Sequence, residues 1–369
     1  MHTRNDHEIV DTVAPHSNGK QRMTPAPAAT ALVLGASGAI GGEMTRQLLK
    51  AGWRVRALKR GLGEPRRVQD GIDWREGDAL VREQVLAAAE GCAVIVHAVN
   101  PPGYRNWEQL VLPMVDNTIA AARAEGATIV LPGNVYNYGP DAFDALHEDA
   151  PQNPLTRKGA IRVEMERHLQ AATDDAQVRV IIVRAGDFFG PHSGNDWFAQ
   201  GMVKPGRPVR RVSMPAAAGA GHQFAYLPDV ARTMLQLLAR RDTLPAFARF
   251  HMGGHWDADG SEMARAVQRV VTRHGGATPT LQRFPWWLAR LAAPFNATLR
   301  ELLEMRYLWQ QSVRLDNRRL TQLLGAEPHT PLEEAIAQTL EGMACLKADG
   351  PAPAPAPNVA TDTLSVMRR

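Results

Sequence analysis

The chain has 369 residues, 44% hydrophobic and 22% charged, a globular composition long enough for a sizeable core. Its 42 basic and 38 acidic side chains leave a net +4, too small and scattered an excess to point to nucleic acid. There is no run of about 18 apolar residues, so no membrane partner is expected, and two cysteines without metal-ligand spacing exclude a disulfide framework and suit a reducing, cytoplasmic setting.

In chain order, residues 1–29 are polar, contain Pro25-Ala-Pro27, lack a signal-type apolar core, and are expected to be a disordered tail. Residues 31–34 form a short apolar run ending in glycines and read as a buried strand. A helix is expected over 40–51, closed by Gly52. Strands follow at 53–58 and 72–75, then a helix over 80–89 before Gly91. The apolar run 93–96 is a strand, 107–125 a helix stopped by Gly126, and 128–131 a strand. The helix 156–172 and the strand 178–183 complete the alternation. Residues 191–221, rich in Gly, Pro and Ala, read as an irregular substrate-side insertion. Helices follow at 229–240, 261–273 and 299–324, with a short strand at 250–252 and a last helix from Pro331. Residues 349–369 begin with a Pro/Ala repeat, a stiff extended tail.

Alternating strands and helices imply an α/β Rossmann-type fold, a doubly wound parallel sheet, here over 30–255. A smaller, mostly helical C-terminal lobe is expected over 256–348. In such a sheet ligands bind at the carboxyl ends of strands, which selects the loops after Leu34, Leu58, Val96, Leu131 and Val183.

The first of these loops is Gly35-Ala-Ser37-Gly38-Ala39-Ile40-Gly41. One glycine permits the tight turn, the next lets a pyrophosphate reach the backbone, and the third lets helix and strand pack closely. Free N–H groups at the helix start then face the phosphates. The second strand ends in Leu58-Lys59-Arg60, with Arg66 and Arg67 nearby, where NAD-binding domains place an acid. Guanidinium groups grip phosphate with two bonds, so NADP(H) is expected, with NAD as the alternative. Asp78, followed by Ala79, could accept from the adenine amine or cap the helix from Leu80. Ala98 and Asn100, in the loop continuing as Pro101-Pro102-Gly103, are placed near the nicotinamide ribose.

These segments resemble an extended short-chain dehydrogenase/reductase of the NAD-dependent epimerase/dehydratase type. The resemblance covers roughly 31–340. It is carried by the glycine triplet, Gly77-Asp78, Asn117, Tyr138-Gly139, Arg184-Ala-Gly-Asp-Phe-Phe-Gly190-Pro191, Tyr226-Leu-Pro-Asp229-Val, Leu324-Gly325 and Pro331-Leu-Glu-Glu-Ala335. It implies a small-molecule substrate, with sugar nucleotides among the family's substrates, and a homodimer built through a four-helix interface.

The resemblance also implies a Ser or Thr, and a Tyr with a Lys four residues on. This chain departs at all three: Asn134, Lys158 and Arg162 occupy those places. Residues four apart share a helix face. In one reading, Arg162 grips the ribose, Asn134 donates to a substrate carbonyl, and Lys158, made less basic by burial and like charge, supplies the proton. In a second, Tyr136, Tyr138 or Tyr104 substitutes. In a third, the chain binds dinucleotide without hydride transfer, as a redox-sensing regulator or structural protein, and Arg162–Glu166 is a surface pair.

Other residues read more plainly. His97 is a hydrogen-bonded structural group, and Asp229 a helix N-cap. His251-Met-Gly-Gly-His255 has a metal-like interval but glycines that argue against a helix, so no metal is expected. Trp197, Phe198, Phe284, Trp286 and Trp287 read as lobe core before substrate pocket. The segment His222–Tyr226 could touch substrate, and Arg207, Arg210 and Arg211 would permit an anionic one.

Overall fold

Residues 31–34 alternate sides of a strand, yet all four are buried. A strand covered on both faces reads this way. The computed structural model describes residues 29–346 except 102–106, 175–176, 195 and 296. The expected N- and C-terminal tails fall almost wholly outside that range.

The elements run β1 (Thr30–Leu34), α1 (Ala39–Lys50), β2 (Arg54–Lys59), β3 (Arg66–Gln69), β4 (Ile72–Glu76), α2 (Arg82–Ala89), β5 (Val94–His97), α3 (Trp107–Glu125), β6 (Thr128–Gly133), α4 (Arg157–Ala171) and β7 (Arg179–Arg184). They continue through β8 (Asp187–Phe189), β9 (Arg211–Met214), β10 (His222–Tyr226), α5 (Leu227–Leu238), β11 (Phe247–His251), β12 (His255–Asp257), α6 (Glu262–Arg273) and β13 (Thr280–Arg283). The last are α7 (Trp286–Ala292), α8 (Ala297–Glu304), α9 (Arg318–Leu324) and α10 (Leu332–Gly342).

The main sheet has the order β11-β7-β6-β5-β1-β2-β4-β3, parallel throughout except for β3. Ala31 and Val33 pack with Met44 and Leu48 of α1 and with Val230 and Met234 of α5. Leu32 and Leu34 pack on the other face with Val85, Val115, Ile161 and Leu169 from α2, α3 and α4. The doubly wound architecture is therefore present, helices covering both faces. A third apolar core joins Phe189, Phe198, Phe224 and Trp309 to Val267 of α6 and Ile336 of α10.

Several local expectations are corrected. β3 was not foreseen; it folds antiparallel onto β4 through Asp70-Gly71, both at positive φ (53° and 76°), the backbone a two-residue hairpin turn needs. The insertion 191–221 is not all irregular, since Phe198–Met202 forms a π-turn and β9 pairs with β13. The helix expected over 299–324 is broken between α8 and α9. In the break, Leu315 bridges Leu146 and donates its N–H to Gln223 Oε1 at 2.9 Å. Tertiary pairing there outweighs helix propensity. Asp229 is no N-cap: α5 starts at Leu227, and the buried Asp229 carboxylate accepts from the Thr330 N–H (2.7 Å) and Oγ1 (2.9 Å).

Candidate functional site

Strand order reverses between β1 and β5, and a cleft of about 830 Å³ opens over their carboxyl ends. Gly35 has φ +88°, and a Cβ there would lie 2.5 Å from the Ala98 carbonyl oxygen. Gly41, buried beneath the cleft floor, would put a Cβ 2.2 Å from the Gly35 oxygen. No side chain fits at either place. Gly38 is the N-cap of α1 and offers no side-chain cap. The Gly38 N–H closes the turn onto the Gly35 oxygen at 2.8 Å, and the first-turn N–H groups of Ala39 and Ile40, which have no partner inside the helix, open on the cleft beside Ser37. This cradle fits a dinucleotide pyrophosphate.

Lys59, Arg60, Asp78 and Ala79 form the wall beyond β2 and β4. Arg60 lies 3.5 Å from Asp78, and the Lys59 ammonium sits 5.5 Å from the centre of the Trp74 ring. Arg66 and Arg67 are not part of this wall. They lie on exposed β3, paired with Asp73 and Glu64. Asp78 accepts the Leu80 N–H at 3.0 Å, while the N-cap of α2 is Val81, one turn later than expected. Asn117 donates to the Ala79 carbonyl at 3.0 Å, so a residue of α3 fixes this wall.

Beyond β5, Ala98 and Asn100 line the cleft. His97 is buried, with Nδ1 2.8 Å from Thr118 Oγ1. Burial, aided by the Arg162 cation, lowers it to about 3, which keeps it neutral. Tyr104 lies outside the described residues.

Asn134, Lys158 and Arg162 all reach the same cleft. Thr156 caps α4, accepting the Gly159 N–H at 3.0 Å. Gly159 lets the helix pass against the Tyr136 carbonyl, where a Cβ would come within 2.3 Å. Lys158 and Arg162, one turn apart, thereby face the cleft together. The Arg162 guanidinium lies 5.3 Å from the centre of the Trp107 ring. Lys158, 3% exposed, has its ammonium 3.8 Å from Glu304 of α8. The lysine environment is thus not the purely like-charged one the sequence suggested. Asn134 Oδ1 accepts the Tyr136 N–H at 3.0 Å, which leaves its NH2 as the donor end.

Glu166 does not serve Arg162 as a surface partner. Both its oxygens take the buried Arg184, one of them from Nε at 2.9 Å. Tyr138 joins that buried group, hydrogen-bonded to Arg184 and to His251, and burial pushes it up to about 12. It lies outside the cleft wall, whereas Tyr136 is part of it.

The sequence did not point to Asp187, Asp196 or Glu304 as site residues. Asp187 lies inside the quoted Arg184–Pro191 segment, but nothing in its spacing marked it out. His222, buried in β10, places Nε2 2.7 Å from the Asp187 carboxylate and stacks on Trp309 at 3.5 Å. Asp196 is held by the Ala199 N–H at 2.8 Å, and its Oδ2 is closed off from solvent. Burial first, and the Asp187 charge with it, push Asp196 up to about 6, against the pull of Ser193 and of backbone N–H groups. Trp197 packs on Phe284, Trp286 and Trp309 and also lines the cleft, so it is core and wall at once. Arg207, Arg210 and Arg211 are exposed and take no part in the cleft wall. Asp229, His255 and His329 bring ligand-type atoms within 4.8 Å of one another, but the Asp229 oxygens are already taken by Thr330 and Arg232.

Among solved structures, the chain is similar to the Bordetella bronchiseptica enzyme WbmH in complex with NAD+, at 17% identity and a TM-score of 0.62, covering 85% of this chain and 98% of that one. It is similar to UDP-N-acetylglucosamine 4-epimerase from Bacillus cereus at 13% identity and a TM-score of 0.64, covering 87% and 98%. MoeE5 in complex with UDP-glucose and NAD aligns at 19% identity and a TM-score of 0.61, covering 85% and 98%. No curated protein matches. At such identities the likeness establishes the fold. The match to a sequence family extends further: residues 31–253 fit the NAD dependent epimerase/dehydratase family, more than half of the chain, and the chain belongs to that family.

Proposed function

We propose that this protein is an NAD(P)-dependent oxidoreductase or epimerase-type enzyme acting at a carbonyl or carbinol carbon of a small molecule. One observation carries the reading: a single cleft joins the glycine cradle to Asn134, Lys158 and Arg162. The bound dinucleotide would supply or accept hydride at its nicotinamide. The cradle at Gly35–Gly41 holds the pyrophosphate, and Arg162 grips the ribose hydroxyls. Asn134 donates its NH2 to the substrate oxygen, where negative charge develops. Lys158, positioned by Glu304, donates the proton in the reducing direction. A sugar-nucleotide-like substrate is supported by the solved relatives that bind UDP-glucose or act on UDP-N-acetylglucosamine.

NADP(H) is the preferred cofactor in this reading, supported by Lys59 and Arg60 on the wall and weakened by the removal of Arg66 and Arg67 from it. The apolar core that holds α6 and α10 also takes in Phe189, Phe198, Phe224 and Tyr226, so the lobe is built on the segment 189–226 as well as on residues beyond 255. Both cysteines are buried and unpaired, which supports a reducing cytoplasm, and burial lifts Cys92 to about 11.

A second reading, a dinucleotide-binding regulator without turnover, is favoured by one observation: the place of the family's tyrosine is held by a lysine already engaged by a carboxylate. One experiment separates the two. NADPH and NADH oxidation is followed over a panel of carbonyl substrates, in the native protein and in Lys158→Ala, Arg162→Ala and Asn134→Ala. Turnover lost at least tenfold in each variant supports the enzyme. Saturable NADPH binding without turnover on any substrate supports the regulator.

A further inference from the structure

Helix α7 and the turn after it are built inside out. Ala289 and Ala293, each 6% exposed, face the protein. Trp287, Leu291 and Phe295 face away, 67%, 66% and 93% exposed, with Leu288 beside them at 50%. A water-facing helix carries its polar residues outward. Here the outer face is the more apolar one, and the small residues are turned in. Contiguous exposed apolar surface of this kind marks an interaction site.

Along residues 263–300 the charged side chains are all basic, and Glu301 and Glu304 follow on α8. Arg283, Arg290 and Arg300 are exposed on this segment. Arg265, Arg269 and Arg273 are answered by carboxylates on other segments or at the start of α6. An apolar face with tryptophan at its edge and arginine around it has the chemistry of a helix lying in the headgroup region of a bilayer.

We infer that the segment 286–295 is a docking surface for an anionic lipid bilayer, on which the protein lies without crossing. No described helix is long and apolar enough to span a membrane, and a helix lying in the interface needs no such length. The lack of an apolar run of about 18 residues speaks against a spanning helix and leaves a helix lying in the interface open. A second copy of this chain fits the surface less well. A two-fold contact would bring two copies of the same arginine-flanked face together, with no acidic side chain between 263 and 300 to answer the charge. The inner side of the same region borders the cleft: Trp286 packs on Trp197 at 5.6 Å, and Leu302 and Met305 are cleft wall. The inference does not depend on the proposed reaction.

The test uses the full chain and flotation with vesicles of phosphatidylcholine carrying about one-third phosphatidylglycerol, beside pure phosphatidylcholine. The native protein is expected to float with the anionic vesicles and to be released by salt. Leu291→Ser with Phe295→Ser is expected to lower the bound fraction at least tenfold, and Arg290→Glu to lower it severalfold. Val68→Ser is the control. Val68 is 68% exposed on the edge strand, away from this surface, and its replacement should change nothing. These positions are exposed, so the variants fold, and unchanged far-ultraviolet dichroism verifies this. No flotation with anionic vesicles overturns the inference, as does equal loss in the Val68 control. Concentration-dependent dimerisation abolished by Leu291→Ser with Phe295→Ser also overturns it, in favour of a second copy.

Discussion

The Asp187 carboxylate lies 2.7 Å from Nε2 of His222, so a cleft-wall residue is oriented by one buried behind it. The partial burial that raises Asp196 to about 6 adds to the repulsion from Asp187. A carboxyl poised there is uncharged below about pH 6 and charged above it. The rate of any cleft chemistry, or the affinity for the dinucleotide, is expected to change with an inflection near pH 6. Asp196→Asn should abolish that inflection. Asp187→Asn should move it toward lower pH, because one of the two raising influences is removed. A profile flat between pH 5 and 7, or unaltered in Asp196→Asn, contradicts this assignment.

In the proposed NADP(H) reading, Arg60 is the cation expected to decide coenzyme choice. It reaches Asp78 at 3.5 Å but is 65% exposed, so that contact is weak and a 2′-phosphate can compete for the guanidinium. Arg60→Glu is expected to weaken NADPH binding by about tenfold or more, roughly 1.4 kcal/mol, and to leave NADH binding unchanged or tighter. Titrations of both coenzymes against both proteins decide it. Equal NADPH affinity in the variant would place specificity elsewhere.

The frame of the fold was readable in the sequence because it rests on local signals. Gly52, Gly91 and Gly126 end elements at positive φ, and the strand runs are apolar because both faces of the sheet are covered. The glycine cradle was readable for the same reason. Glu304 was not: it meets Lys158 across 146 positions, and no periodicity reports such a contact. Arg66 and Arg67 misled because charge was counted by sequence distance, whereas the Asp70-Gly71 hairpin carries them to the edge of the sheet. Trp287 misled because aromatics usually serve cores.

The buried pair Glu166–Arg184 should matter far more to stability than the surface network. Arg184 is fully buried and Glu166 is 5% exposed. Glu166→Ala would leave an uncompensated guanidinium in the interior, beside Tyr138 and His251. Breaking such a pair costs about 3–5 kcal/mol. Glu333 pairs with Arg269 and Arg273 at the surface, and Glu333→Gln should cost no more than about 1 kcal/mol. Urea unfolding at neutral pH, compared by midpoint, measures both. Similar losses in the two variants would mean that the interior pair is not desolvated as described.

Acid should destabilise this protein earlier than its carboxylates alone require. Burial holds His97 near 3 and His255 near 4, and holds His251 well below its ordinary 6.5. In each case the unfolded chain takes up a proton that the folded chain refuses. Between the ordinary value and the folded one, stability therefore rises with pH and is lost as pH falls. Each such group contributes at most about 1.4 kcal/mol per pH unit in that window. Asp196 works the other way: raised from 3.8 to about 6, it binds its proton more readily when folded, so acidification relieves its cost. Three groups against one leave a net loss from about pH 6.5 down to 4. Replacing His97 with Gln lowers stability at neutral pH through the lost Thr118 contact, but it should flatten the slope between pH 6 and 4 by up to one proton. Unfolding free energies measured across that range, native against His97→Gln, give the slope directly. Identical slopes would show that His97 is protonated in the folded state and is not the neutral buried group described.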